Sequence, residues 1–139
     1  MYVKQVAKVA VLNPRGEVLL LRRSPNDPAR PGEWDFPGGG VEPHESLRQT
    51  VLRETREEAG LEIEGAEPHL AYTETTYTQD KDEVAHKFLY ICRLAADATV
   101  RLSNEHDHFE WQSVDRTLDM FSHPFYNAGL RFAQEHNLL

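Results

Sequence analysis

Residues 38 to 61 read GGGVEPHESLRQTVLRETREEAGL, a run that leads three consecutive glycines into a helix whose last turns are crowded with carboxylates. Pro43 and His44 break the chain, Glu45 and Ser46 begin an acidic first turn, and Gly60 supplies a left-handed stop. The spacing predicts one helix over about 44–59. Leu47, Val51, Thr55 and Ala59 recur every fourth residue, with Leu52 beside them, as a buried stripe does. Glu54, Glu57 and Glu58 stand at i, i+3 and i+4 on another face. Like charges so placed cost roughly 0.2–0.5 kcal/mol per pair, and two of the three lie in the final turn, where the helix dipole is already negative. Arg53 and Arg56 offset only part of that repulsion. A solvated helix face accounts for most charge runs. Here the unfavourable end of the helix and the preceding glycines, which expose backbone carbonyls, point instead to a hard divalent cation. Glutamate and carbonyl oxygens suit magnesium or manganese, whereas zinc prefers nitrogen and sulfur.

The stretch resembles the signature of the Nudix hydrolases: a glycine, five residues, a glutamate, seven residues, Arg-Glu, an aliphatic residue, any residue, Glu-Glu, any residue, a glycine and an aliphatic residue. Gly39, Glu45, Arg53, Glu54, Glu57, Glu58, Gly60 and Leu61 fill those places. Thr55 stands where an aliphatic residue is usual; its methyl can pack and its hydroxyl can bond back to a helix carbonyl. The resemblance implies an α/β (α+β) fold, a mixed β-sheet sandwiched between helices, and cleavage of the phosphoanhydride of a nucleoside diphosphate linked to another group. By position it implies Glu57 and Glu58 as metal ligands, with the Gly38 carbonyl on the same ion. Glu54 becomes a further ligand or the base for water. Glu45 and Arg53 become a pair holding the loop on the helix, with Gly39 and Gly60 as structural support.

The charge balance agrees with that chemistry. With 23 acidic and 15 basic side chains, net charge −8, the chain repels a polyphosphate unless cations occupy the site. The same balance argues against a nucleic-acid polymer, which demands a basic stripe, and favours a small nucleotide. At 139 residues and 40% hydrophobic the chain is expected to form one domain over 1–139. No apolar run approaches the length that spans a bilayer and no leader pattern is present, so a soluble, cytoplasmic protein is expected. The one cysteine, Cys92, lies in an apolar run and reads as a buried, inert thiol.

Residues 2–12 alternate and then turn continuously apolar, as a strand entering a core does. Asn13 to Gly16 is a turn and Glu17 to Leu21 the returning strand. Arg22 and Arg23 follow, either as a solvated strand end or as substrate contacts, and lead into the proline-rich loop 24–33, a candidate rim or lid. Trp34 and Phe36 are two apart and face the same way in a strand; both a core role and a base-stacking role stand open, with Phe36 kept as a substrate contact. After the signature, 62–64 reads as a short strand, 69–78 as a longer one, 79–83 as a charged hairpin tip and 84–94 as its partner.

Tyr77 lies sixteen residues beyond Leu61, about where some dinucleoside polyphosphate-cleaving Nudix members carry a tyrosine, and is a candidate substrate contact. His106 and His108 flank Asp107, but further zinc ligands are not evident nearby. The resemblance offers Glu105 instead, since many members carry a Glu-His pair before a tryptophan-bearing strand and the glutamate reaches the metals or activates water; Glu110 is the substitute. Trp111 is expected to anchor the last strand in the core. Helices are predicted over 113–120, with a capping serine or aspartate, and from Pro124 to His136. The last is expected to cover the sheet and to carry no chemistry. The proline that marks the ADP-ribose-cleaving branch and the Ser-Gln-Pro run of the NADH-cleaving branch are both absent. Nucleoside triphosphates therefore lead, then dinucleoside polyphosphates, then nucleotide sugars. The alternative is a non-catalytic nucleotide-sensing or protein-binding domain on the same scaffold; such domains usually lose metal acids, which are intact here.

Overall fold

The computed structural model describes residues 1–139. In chain order the elements are β1 (Tyr2–Leu12), β2 (Val18–Arg23), β3 (Trp34–Asp35), β4 (Gly38–Gly40) and α1 (Leu47–Ala59). A single 3₁₀ turn (Glu64–Ala66) follows, then β5 (His69–Thr78), β6 (Glu83–Arg93), β7 (His106–Gln112), α2 (Val114–Met120) and α3 (Pro124–Glu135).

The apolar run of β1 places it at the centre of a mixed sheet. One edge pairs in parallel with β6 along its whole length, from Tyr2 opposite Glu83 to Leu12 opposite Arg93, and β5 closes that side antiparallel to β6. The other edge is shared. The glycines of β4 lie opposite Val6 to Lys8, and the tight turn at Asn13–Gly16, where Gly16 takes a positive φ of 80°, brings Val18 back opposite Leu12. From there β2 pairs with both β3 and β7.

Alternation along the strands splits the core into two layers. Val9 and Val11 of β1 and Leu19 and Leu21 of β2 pack on Val51 and Ala59 of α1. Ala10, Leu12 and Leu20 pack on Phe125, Leu130 and Ala133 of α3. This is the mixed sheet between helices that the signature implied. No helix is long and apolar enough to cross a membrane.

Local chemistry moves some predicted boundaries. The α1 helix starts at Leu47 rather than near 44, because Ser46 is the N-cap: its hydroxyl accepts from Gln49 N while the Gln49 side chain accepts from Ser46 N, a full capping box. His44 has φ 65°, outside any helix. Gly60 closes the helix at φ 69° as expected. Residues 62–64 do not form a strand; the backbone bends into the 3₁₀ turn, and Glu62 pairs with Arg56. The strand predicted to end at Leu21 continues through Arg22 and Arg23 because β7 and β3 both supply partners there.

Candidate active site

The glycines of β4 are set by crowding. A Cβ on Gly38, whose φ is 139°, would stand 2.2 Å from the Ala7 carbonyl oxygen, and one on Gly39 would stand 2.9 Å from the Glu54 carboxylate. Glycine therefore lets the loop lie directly against the central strand and the acid face of α1. Gly38 N–H donates to Glu58 Oε1 at 2.8 Å, and the Gly38 carbonyl accepts from Lys8 Nζ at 3.1 Å. The peptide groups around Gly38 are thus held from both faces of the sheet.

Arg53 organises the helix acids. Its Nε and Nη2 grip Glu45 at 2.7 and 3.0 Å, and Nη1 reaches Glu54 at 2.9 Å and Glu57 at 3.3 Å. The guanidinium, helped by the Thr50 hydroxyl, pulls the Glu45 carboxyl down to about 2. Glu57 is exposed, whereas Glu58 is buried at 3% exposure. Burial pushes the Glu58 carboxyl up to about 8, against the pull of Lys8 and the Gly38 N–H. Burial likewise raises Glu54, which Arg53 opposes. Carboxyls this costly to ionise would be relieved by a divalent cation.

The start of β7 brings two more groups. One ligand atom each from Glu58, Glu105 and His106 lies within 4.8 Å of the others. A bulge opposite Arg22 and Arg23 creates this: Arg22 faces His108 but Arg23 faces His106, so Asp107 is extra and pairs with Arg22 at 3.0 Å. His106 is buried and neither ring nitrogen has a hydrogen-bond partner; Nε2 stands 3.8 Å from Asp35. An orphaned buried imidazole beside two carboxylates calls for an explanation, and this donor set fits a divalent cation.

On the α3 side of β1 lies a cleft of about 650 Å³. Lys4, Val6 and Lys8 line it from β1 and Lys87 from β6. Asp27 to Arg30 of loop 24–33 form its rim, and His123, Phe125 and Tyr126 at the start of α3 its far wall. Lys8 is 3% exposed and bonds Asp35 at 3.1 and 3.3 Å. Arg23 adds a second cation at 2.9 Å from the same carboxylate, and the Tyr126 hydroxyl donates to it. Burial is the largest influence on both Lys8 and Asp35 and opposes their charges, yet their attraction together with the surrounding charges and hydrogen bonds outweighs it, raising the lysine and lowering the aspartate. Lys8 therefore joins the cleft floor to the glycine loop.

The pattern described as a NUDIX domain matches residues 1–129. The chain belongs to the NUDIX family. Its fold is similar to the crystal structure of a MutT protein from Methanosarcina mazei Go1, with TM-score 0.80 and 32% identity over 97% of this chain and 96% of that one. In sequence it is 44% identical to the CTP pyrophosphohydrolase of Escherichia coli (strain K12), over 42% of this chain and 44% of that protein. It is 37% identical to a bis(5'-nucleosyl)-tetraphosphatase [asymmetrical] of Sus scrofa, over 63% of this chain and 60% of that protein. The chain spans between 33% and 60% of the length of the first curated relatives it matches.

Within this NUDIX fold Glu58 meets the Gly38 N–H and stands by Glu105, Glu54 and Glu57 share Arg53, and Arg23 lines the adjoining cleft. Other expected contacts fall elsewhere. Phe36 is fully buried between Phe121 and Tyr126, so it is a core residue and has no face for a base. Tyr77 is exposed and donates to Asp82 at the β5–β6 hairpin tip, and is not part of the cleft lining. Arg22 lies over Trp34, outside the cleft lining. Glu110 faces His108 and Gln112 rather than the acid cluster. The closing helix, expected to carry no chemistry, supplies a cleft wall and the Tyr126 hydroxyl. The sequence reading missed Lys8, although a lysine inside the apolar run VAKVAVL was a signal. It also missed the more distant neighbours of His106, Glu58 of α1 and Asp35 of β3.

Proposed function

We propose that this NUDIX protein is a hydrolase acting on acid anhydrides, cleaving the phosphoanhydride of a small nucleotide with magnesium, or manganese in its place, in the cytoplasm. Nucleoside triphosphates are the favoured substrates, followed by dinucleoside polyphosphates and nucleotide sugars. The observation that carries this reading is the junction of an acid cluster and a cationic cleft at one glycine loop. The names of the relatives, which include a CTP pyrophosphohydrolase and a tetraphosphatase, support the same class.

Glu54, Glu57, Glu58 and Glu105 would hold the cation, with the Gly38 carbonyl and the His106 imidazole at hand. When bound, the cation neutralises phosphate oxygens and lowers the pKa of the attacking water. The chain's own groups do the rest. Arg23 faces the phosphates from the cleft, Lys8 fixes the Gly38 carbonyl, and Arg53 holds the acids in register. Water adds to phosphorus, the bridging P–O bond breaks, and Glu54 or Glu105 receives the proton.

The test is product release from triphosphates, dinucleoside polyphosphates and nucleotide sugars, with magnesium and with chelator, for the native chain and Glu57→Gln. Magnesium-dependent cleavage that falls at least a hundredfold in the variant is expected. Full activity in Glu57→Gln would sink this metal site, and no cleavage across the panel would favour the non-catalytic alternative.

A further inference from the structure

The cleft is strongly cationic in a molecule of net charge −8. Six lysine and arginine side chains line it against one carboxylate, Asp27. Like-charge repulsion in such a cluster falls on the cations that lack a carboxylate partner.

The charge is unevenly balanced along the cleft. At the end near the glycine loop, Lys8 and Arg23 are both paired to Asp35, and Arg23 also to Asp27 at 2.7 Å. At the other end Lys4 is shared with Glu83 at 3.2 Å and Arg30 lies 3.8 Å from Glu33. Lys81 and Lys87 have no carboxylate within ion-pair distance among the salt bridges of the fold. Glu74 is the cross-strand neighbour of Lys87, but the Lys87 ammonium instead faces His123 Nε2 at 3.4 Å and the Phe125 ring at 5.9 Å. Burial lowers the pKa of both Lys87 and His123; for Lys87 the Glu74 carboxylate opposes the shift, while Lys4 and Arg30 add to it. Uncompensated positive charge therefore sits at the end away from the acid cluster. Lys4 and Lys8, four residues apart on one face of β1, mark the two ends at roughly 13 Å.

Base recognition by stacking has little to work with here. The aromatic rings of the lining, Phe125 and Tyr126, are 2% and 3% exposed, and no open aromatic face looks into the space.

We propose that the molecule bound in this cleft carries a second phosphate group, remote from the scissile anhydride and held by Lys4, Lys81 and Lys87. The inference rests on the hydrolase reading above and narrows its substrate class to an organic polyphosphate with two separated anionic ends. The second phosphate belongs either to the sugar, as a phosphate monoester, or to the far part of a long polyphosphate chain. It is bound and not cleaved.

The experiment is calorimetric titration in chelator, where turnover plays no part. The ligands are adenosine 3′,5′-bisphosphate, diadenosine tetraphosphate and adenosine 5′-monophosphate. At least tenfold tighter binding of the bisphosphate than of the monophosphate is expected, with that preference lost in Lys81→Gln combined with Lys87→Gln. A gain for the tetraphosphate alone assigns the second phosphate to the chain and also supports the proposal. Equal binding of all three ligands, or a preference that survives both substitutions, overturns it. Lys81 is exposed at the hairpin tip, so Lys81→Gln alone gives a readout even where the double variant melts early; there the preference should fall at least threefold. Because binding is read without metal, an inactive enzyme that retains the preference would remove the hydrolase reading and leave this one standing.

Discussion

Lys8 shows how much one side chain can decide. It is a lysine in the middle of the central strand, kept charged by Asp35 despite burial, and it positions the carbonyl of Gly38. Breaking a buried ion pair from one side leaves the other charge stranded, at a cost of about 3–5 kcal/mol. Arg23 remains beside Asp35, so Lys8→Met should fall at the lower end, about 3 kcal/mol by urea denaturation. Adding Asp35→Asn should recover part of that loss, since the Asp35 carboxylate is then no longer left without its lysine. If the double variant is less stable by the sum of the two single changes, the pair is not coupled as described. The acid cluster of α1 was legible in the sequence because its spacing is local to one helix. The partners of Lys8 and His106 were not, since Asp35 meets them through sheet pairing and Glu58 and Tyr126 through helices packed on the sheet, across long stretches of chain.

At the level of elements, α1 was read correctly as a helix but its start was not. The signal was present in Ser46 and Gln49, a capping box that outranks the acidic residue before it. Glu45 is thereby left outside the helix and free to meet Arg53 and Thr50. Ser46→Ala removes the cap and should cost about 1 kcal/mol, measured as a fall in denaturant midpoint. Activity at low temperature should be kept, since the acids lie at the opposite end of the helix. The 62–64 segment failed as a strand because no neighbouring strand lies open to it, and period-two patterning over three residues carries little information. Phe36 was ambiguous for a similar reason: pattern says which residues share a face, but only the arrival of α2 and α3 decides that the face is closed.

For the whole molecule, acid sensitivity follows from depressed carboxyls. Asp27 and Glu45 are both held down to about 2, Asp27 by the backbone N–H groups of Arg30 and Ala29 and then by Arg23, and Glu45 chiefly by Arg53. The buried Asp35 is lowered further. Groups with folded values below their unfolded ones contribute stability above the unfolded range near 4 and lose it as pH falls through the folded values. Stability measured by urea midpoints should therefore rise from about pH 8 towards about 5, as Glu58 with its raised folded value takes up a proton, and decline steeply between about 4 and 2. In Glu45→Gln the decline over that window should be shallower. A native curve flat across it would show that these pairs hold no more strongly than exposed ones.

The parallel seam between β1 and β6 also sets a timetable. Every rung joins one of the first twelve residues to a residue beyond position 82, and the helix bearing the acids is made in between. On a growing chain, the helix and its glycine loop emerge long before the strand that completes the floor beneath them. The chemistry of the site therefore waits on the most distant pairing in the fold, and long-range parallel pairing is slow to form. A newborn chain would carry its acid helix for some time before it had any place to use it.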